Sequence, residues 1–239
     1  MKLFGKSFKI SASLVVIIVL LLATIIIGYI YWKTANGRLA AILGSLFAGL
    51  IVAIIQFLIA WQDYRETEKI KKLKLMDIIY NRANKELYVK YIENANRNMD
   101  VMGVTAVRFF RDFADTTHGS PDSSKVLLYA LENKVQIRLL LPAEEFLLSE
   151  EKKRNAKEVR NKYCELRKKY QNIQIRYFSH IAAHSIFRMD DTCIIGPVFP
   201  DLESRNTPAL RLRSSSPMAI PYLDYFESEW EKAKEIDNA

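Results

Sequence analysis

The 239 residues suffice for one modest soluble domain plus a membrane anchor, since an even division would leave two undersized globular domains. The formal net charge of +8 is unevenly placed: residues 1–61 hold +5 of it (Lys2, Lys6, Lys9, Lys33 and Arg38, with no acid), Gln62–Leu75 holds +2, and +1 remains beyond. The excess is membrane-proximal, so nucleic acid is not indicated as a partner, and the only two cysteines, Cys164 and Cys193, read as free thiols with no disulfide framework or zinc site.

Ile10–Trp32 and Leu39–Trp61 carry no charge, and each is long enough at ~1.5 Å per residue to cross a ~30 Å hydrocarbon layer. The first run exceeds the ~7–15 residues of a signal-peptide core and is followed at once by a second, so residues 1–61 are expected to form a retained transmembrane hairpin. Basic residues crowd the outer ends of the pair: Lys2, Lys6 and Lys9 precede it, and Arg65, Lys69, Lys71, Lys72 and Lys74 follow it. The turn TANGR and its flank hold only Lys33 and Arg38. This bias predicts a two-pass protein of the bacterial inner membrane with both termini in the cytoplasm. The second span carries small residues at Ala41, Ser45, Gly49 and Ala53, beside Ala40, Gly44 and Ala48. Close backbone approach along such a seam drives helix association in lipid, either within one hairpin or between hairpins of a homo-oligomer.

From Gln62 to about Asn96 the pattern is charged and helical, and a continuous linker helix is expected over residues 62–96. Residues 97–239 then alternate strand-like and helical runs. Strands are predicted at Met99–Val107, Val135–Pro142, Ile173–Phe178, Ser185–Met189 with Thr192–Phe199, and Ala209–Arg213; helices are predicted at Ser123–Asn133, at Ala143–Gln171, and from Pro217 onward. Such βαβ units predict an α/β domain with a mainly parallel sheet. Tyr222, Phe226 and Trp230 recur at i+4 in the last helix and read as core, and Thr116–Ser124, with Gly119 and Pro121, reads as a loop.

The stretch HSIFRMDDTCIIG, His184–Gly196, the order of elements, and the ending SSSPMAIPYLDYFESEWEKA resemble the phospholipase D-like superfamily over roughly Lys85–Ile236, and its single-motif bacterial members more than its lipases. The superfamily signature is His-x-Lys-x4-Asp followed by a glycine. His184 and Asp191 match it, Ile186 stands where the lysine belongs, and Gly196 comes slightly early. In active members, the resemblance implies, histidine attacks phosphorus, lysine holds the phosphoryl oxygens and aspartate orients the histidine. Two motif copies are needed, so this chain would need a homodimer with two His184 rings face to face.

Loss of the lysine forfeits an electrostatic contribution of a few kcal/mol, roughly 10²–10³ in rate. Arg188, of the same strand parity as His184, is the candidate replacement, with a reach of about 7 Å along the strand. If Arg188, Arg176, Arg211 and Arg213 converge, they form a pocket for a phosphorylated, nucleotide-like ligand; otherwise they and Arg138 face solvent. His180 and His184 lack a third ligand, so neither a metal nor another cofactor is expected.

The reading is a cytoplasm-facing, non-catalytic domain that senses a ligand or regulatory protein and controls assembly of the hairpin. In architecture it resembles bacterial membrane effectors of anti-phage abortive infection. The alternative is a homodimeric membrane phosphodiesterase using His184.

Overall fold

The computed structural model describes residues 12–235. The chain divides at Ile70/Lys71 into two compact units.

In the first unit, α1 (Ala12–Lys33) and α2 (Gly37–Lys72) are both long and apolar enough to cross a membrane. Asn36 caps α2: its side-chain oxygen accepts from the backbone N–H of Arg38 at 3.1 Å, satisfying one of the donors a helix start leaves free. The small-residue seam splits. Ala40 and Gly44 lie toward α1, where a Cβ on Gly44 would stand 3.4 Å from the Tyr31 ring, whereas Ala41, Ser45, Ala48 and Gly49 are exposed and Ala53 is half-buried. A Cβ on Gly49 would meet nothing within 4 Å. The first span's start at Ile10 and the lysines at 2, 6 and 9 lie outside the described residues.

The second unit is built on one eight-stranded sheet: β1 (Leu75–Ile79), β2 (Asn98–Met102), β3 (Gln136–Pro142), β4 (Ile173–Phe178), β5 (His184–Met189), β6 (Thr192–Pro197), β7 (Ala209–Arg213) and β8 (Lys234–Glu235). Their order is β1-β7-β6-β5-β2-β3-β4-β8. Only β2–β3 and β3–β4 pair in parallel; the other five pairings are antiparallel. The sheet is therefore mixed and mostly antiparallel, not mainly parallel as expected. Parallel pairing needs a crossover of a dozen or more residues, and the two residues Asp190–Asp191 between β5 and β6 permit only a hairpin.

The linker expectation also fails beyond Lys72. Lys74 adopts φ +49°, a left-handed conformation that closes the helix, and residues 75–79 continue as edge strand β1 against β7. A glycine normally signals that conformation; a lysine gives no sequence cue.

One sheet face is covered by α3 (Lys85–Glu93), α4 (Val107–Phe113), α5 (Val126–Glu132) and α6 (Glu150–Lys169), enclosing a core that includes Ile92, Phe110, Leu127, Leu131, Ile137 and Ile175. Helix α6 shows how local chemistry sets these boundaries. Ser149 accepts from the Lys152 N–H, Glu150 and Glu151 sit at the positive end of the helix dipole, and Arg167, Lys168 and Lys169 sit at its negative end. The other face is covered by α7 (Ile220–Lys232), whose Phe226 and Trp230 stack with centroids 5.9 Å apart over Met102, Leu140 and Ile186. Helix α7 begins three residues after Pro217, and β2 ends at Met102, short of the expected Val107, where α4 begins.

Candidate functional site

Residues directly opposite on paired strands share a sheet face, so the α7 face can be read across the sheet. Its central row runs Cys193, Arg188, Asp100, Arg138, Gln174 over β6, β5, β2, β3 and β4. Asp100 is 1% exposed in its side chain and sits between two arginines: Arg138 Nε donates to its Oδ1 at 2.7 Å, and Arg188 Nη1 to its Oδ2 at 3.2 Å. From α7, Glu227 accepts two hydrogen bonds from Arg138, at 2.8 and 2.6 Å, and lies 3.8 Å from Arg188. The hydrogen bonds and charge of Arg138 hold the Glu227 carboxyl below its ordinary range against the opposing effect of burial. Two cations and two anions balance, which is how a carboxylate as buried as Asp100 is tolerated. The Arg138 guanidinium also lies over Phe226 and Trp230, 5.0 and 5.2 Å from their centroids.

His184 opens β5 on this same face. Its ring meets Tyr222 and Tyr225 of α7 edge-on, at centroid distances of 5.2 and 5.9 Å. Arg188 shares the face, as its parity requires, but four residues at ~3.3 Å put it about 13 Å along the strand, not 7 Å, and Asp100 already holds it. Ile186, in the lysine position, is 1% exposed within the Met102–Leu140–Phe178 cluster.

The structure does not bring Asp191 to His184. Asp191 lies in the hairpin turn at the opposite end of β5, 78% exposed, and accepts from Arg97 at 2.9 Å. Its neighbour Asp190 does more for the fold. At φ +47° it turns the hairpin, and its carboxylate accepts from the backbone N–H groups of Asn96, Arg97 and Asn98 at 2.9, 3.0 and 3.0 Å. Burial opposes its ionisation, but these three donors outweigh burial and lower its pKa.

Nor do the four predicted arginines converge. Arg176, on β4, is three strands or roughly 14 Å from Arg188; it donates to the Trp230 carbonyl at 2.8 Å and lies 4.7 Å from that ring's centroid. Arg211 and Arg213 point to the opposite face, where Arg211 donates to the Tyr91 hydroxyl and Arg213 is exposed. A cavity beside β2 is lined by none of these four arginines.

Two features escaped the sequence reading. His180 Nε2 lies 2.9 Å from Glu229, and its Nδ1 lies 3.0 Å from the Ile181 carbonyl. Burial would lower the pKa of this imidazole, yet the carbonyl and the carboxylate outweigh burial and raise it. Both ring nitrogens thus face oxygen acceptors, which favours the protonated form relative to a free imidazole. The second feature is Arg82, 6% exposed, which enters the neighbourhood of β5–β7 from the segment expected to be helical linker. Gly196 gives it room: a Cβ there would stand 3.1 Å from Arg82 Nη1 and 2.8 Å from the Pro208 carbonyl. The motif glycine thus serves a seat for an arginine.

No family model and no curated protein matches the chain. Among solved structures it is similar to TrmBL2, an archaeal chromatin protein described as binding DNA (12% identity, TM-score 0.46, covering 79% of this chain and 70% of that one). It is also similar to Nuc, a phospholipase D family member from Salmonella typhimurium (14%, 0.42, 68% and 97%), and to NucT from Helicobacter pylori (9%, 0.44, 67% and 98%). At these identities and scores the similarities assign no function.

Proposed function

We propose that the chain is a membrane-anchored, non-catalytic member of the phospholipase D-like group, whose sheet domain senses a ligand or protein and controls association of its apolar hairpin in the bacterial inner membrane. The observation that carries the reading is the employment of the motif positions. Ile186 is core, Arg188 neutralises Asp100, Asp191 stands at the far end of the hairpin, and His184 packs against two tyrosine rings. Among the described residues His184 forms no ion pair, Arg188 is held by Asp100, and the electrostatic contribution of a cation to a transferring phosphoryl group is commonly worth a few kcal/mol.

The effector half of the proposal rests on the hairpin. The exposed Ala41–Ser45–Gly49 row leaves a surface on which two copies of α2 can approach closely, while Gly44 is committed to Tyr31. Assembly through that row breaches the membrane and kills or arrests the cell, as in abortive infection against phage.

Induced expression with a membrane-potential dye tests this. Depolarisation is expected with the native chain and with His184→Ala, and is expected to be lost in Gly49→Leu at equal membrane levels. Depolarisation that disappears in His184→Ala and persists in Gly49→Leu would overturn the reading in favour of a homodimeric phosphodiesterase.

A further inference from the structure

A cavity of about 530 Å³ opens beside the C-terminal end of β2, on the face opposite α7, and none of His184, Arg188 or Asp191 lines it. It falls in the ~300–1,000 Å³ range of small-molecule sites. Arg82 and Arg108 stand on its wall with the aromatic residues Tyr88, Phe109 and Phe187. These rings support one another, with Phe187 centred 5.4 Å from Tyr88 and 5.8 Å from Phe109.

The charge balance here differs from that around Asp100: five basic residues, Arg82, Arg108, Arg111, Lys152 and Arg205, and three acidic ones, Asp112, Glu151 and Glu203, line the cavity, and no acid among the described residues stands beside Arg82. The Arg82 guanidinium donates to the Thr207 carbonyl at 3.1 Å, to the Pro197 carbonyl at 3.4 Å, and to the hydroxyls of Ser185 and Thr207. Every acceptor is neutral, and among the described residues no carboxylate lies within ion-pair distance. Four of its five N–H groups are engaged; the last, on Nη1, has no acceptor among the described residues. Burial pushes the Arg82 pKa down from its ordinary value, with the Tyr88 hydroxyl opposing and the like charge of Arg108 adding a smaller push in the same direction. Arg108 itself has Asp112 only at 3.5 Å, on a side chain 40% exposed. A buried cation without a counter-ion is costly, and an anion supplied from outside offsets that cost.

We propose that this cavity binds a small phosphorylated molecule with a planar aromatic body, a nucleotide in chemical class. The phosphate is held by Arg82 and Arg108 and the ring system lies against the Tyr88–Phe109–Phe187 wall. Guanidinium forks match phosphate oxygens, and aromatic walls accept a base by stacking. The site gives the sensing domain its ligand and rests on the sensor reading only for the consequence of binding, not for the binding.

The test is calorimetry on the full chain in lipid nanodiscs, titrated with AMP, adenosine, inorganic phosphate and oleate. Saturable AMP binding is expected, with adenosine and phosphate each at least tenfold weaker, and Arg108→Gln is expected to weaken AMP at least tenfold. Arg108 is partly exposed, so its replacement avoids the folding risk of Arg82→Gln, and an unchanged melting temperature of the unliganded variant confirms that. Absence of saturable AMP binding at millimolar concentration, equal binding of adenosine, equal AMP affinity in Arg108→Gln, or binding of oleate in place of AMP would each overturn the site. If AMP binds as expected while Arg108→Gln leaves depolarisation unaltered, the site stands and the sensor reading falls.

Discussion

At position 186, where the signature that His184 and Asp191 resemble carries a lysine, this chain has a core isoleucine, and one substitution would not supply the lysine's role. Ile186→Lys would bury an ammonium among Met102, Leu140 and Phe178 with no partner, a change expected to cost several kcal/mol. Thermal unfolding of the variant should fall by many degrees without any gain of phosphodiesterase activity; a stable, active Ile186→Lys protein would contradict the account. At position 180 the sign of the pH effect follows from the raised pKa. The His180–Glu229 pair contributes stability that is fully present below the ordinary histidine value of ~6.5 and is lost as pH rises through the higher folded value. An NMR titration of the His180 ring should therefore show a midpoint above ~6.5 that drops in Glu229→Gln. His184 and Asp191 were offered by their resemblance to the superfamily signature, and a signature does not say which of two adjacent aspartates turns inward. Asp190 was invisible for that reason, as was the balance of Asp100 by Arg138, Arg188 and Glu227, which requires knowing which strands are neighbours.

At the scale of elements, the β5–β6 hairpin and its contact with the start of β2 fix the register of the whole α7 face. A slip of one residue would carry Arg188 and Ile186 to the other side of the sheet. Asp190 pins that register through three backbone N–H groups, so Asp190→Ala, which leaves them without an acceptor, should lower stability by about 1–3 kcal/mol. Asp190→Asn keeps one acceptor oxygen and tolerates the left-handed backbone, so it should lose less. Denaturant melts of the two variants check the order, and a loss in Asp190→Asn as large as in Asp190→Ala would contradict it. Strands β4 and β7 agree with the alternating runs read from sequence, because their apolar residues repeat with period two and turn residues bound them. Strand β1 and helix α4 were not legible. The first is short and follows a charged helix without a glycine stop, and the second begins after Ala106, a residue whose left-handed φ of +54° no sequence rule anticipates.

For the whole molecule, two long apolar helices precede a sheet domain in which charge is neutralised internally on one face and left unbalanced at Arg82 on the other. The mixed sheet follows from chain economy. The two parallel pairings lie within β2, β3 and β4, which are joined through helical crossovers, whereas β5, β6 and β7 form an antiparallel meander. Seven of the eight net positive charges lie in residues 1–75, and among the later residues arginines pair with Asp100, Glu227 and Glu158 or lie over aromatic rings. The central claim, that a phosphate-handling architecture here performs no hydrolysis, is tested most directly by incubating the purified chain in nanodiscs with bis(p-nitrophenyl) phosphate and following nitrophenol release together with mass spectrometry of the His184 peptide. The account predicts release no faster than with His184→Ala and no phosphoryl adduct; His184-dependent turnover with a phosphorylated imidazole would contradict it.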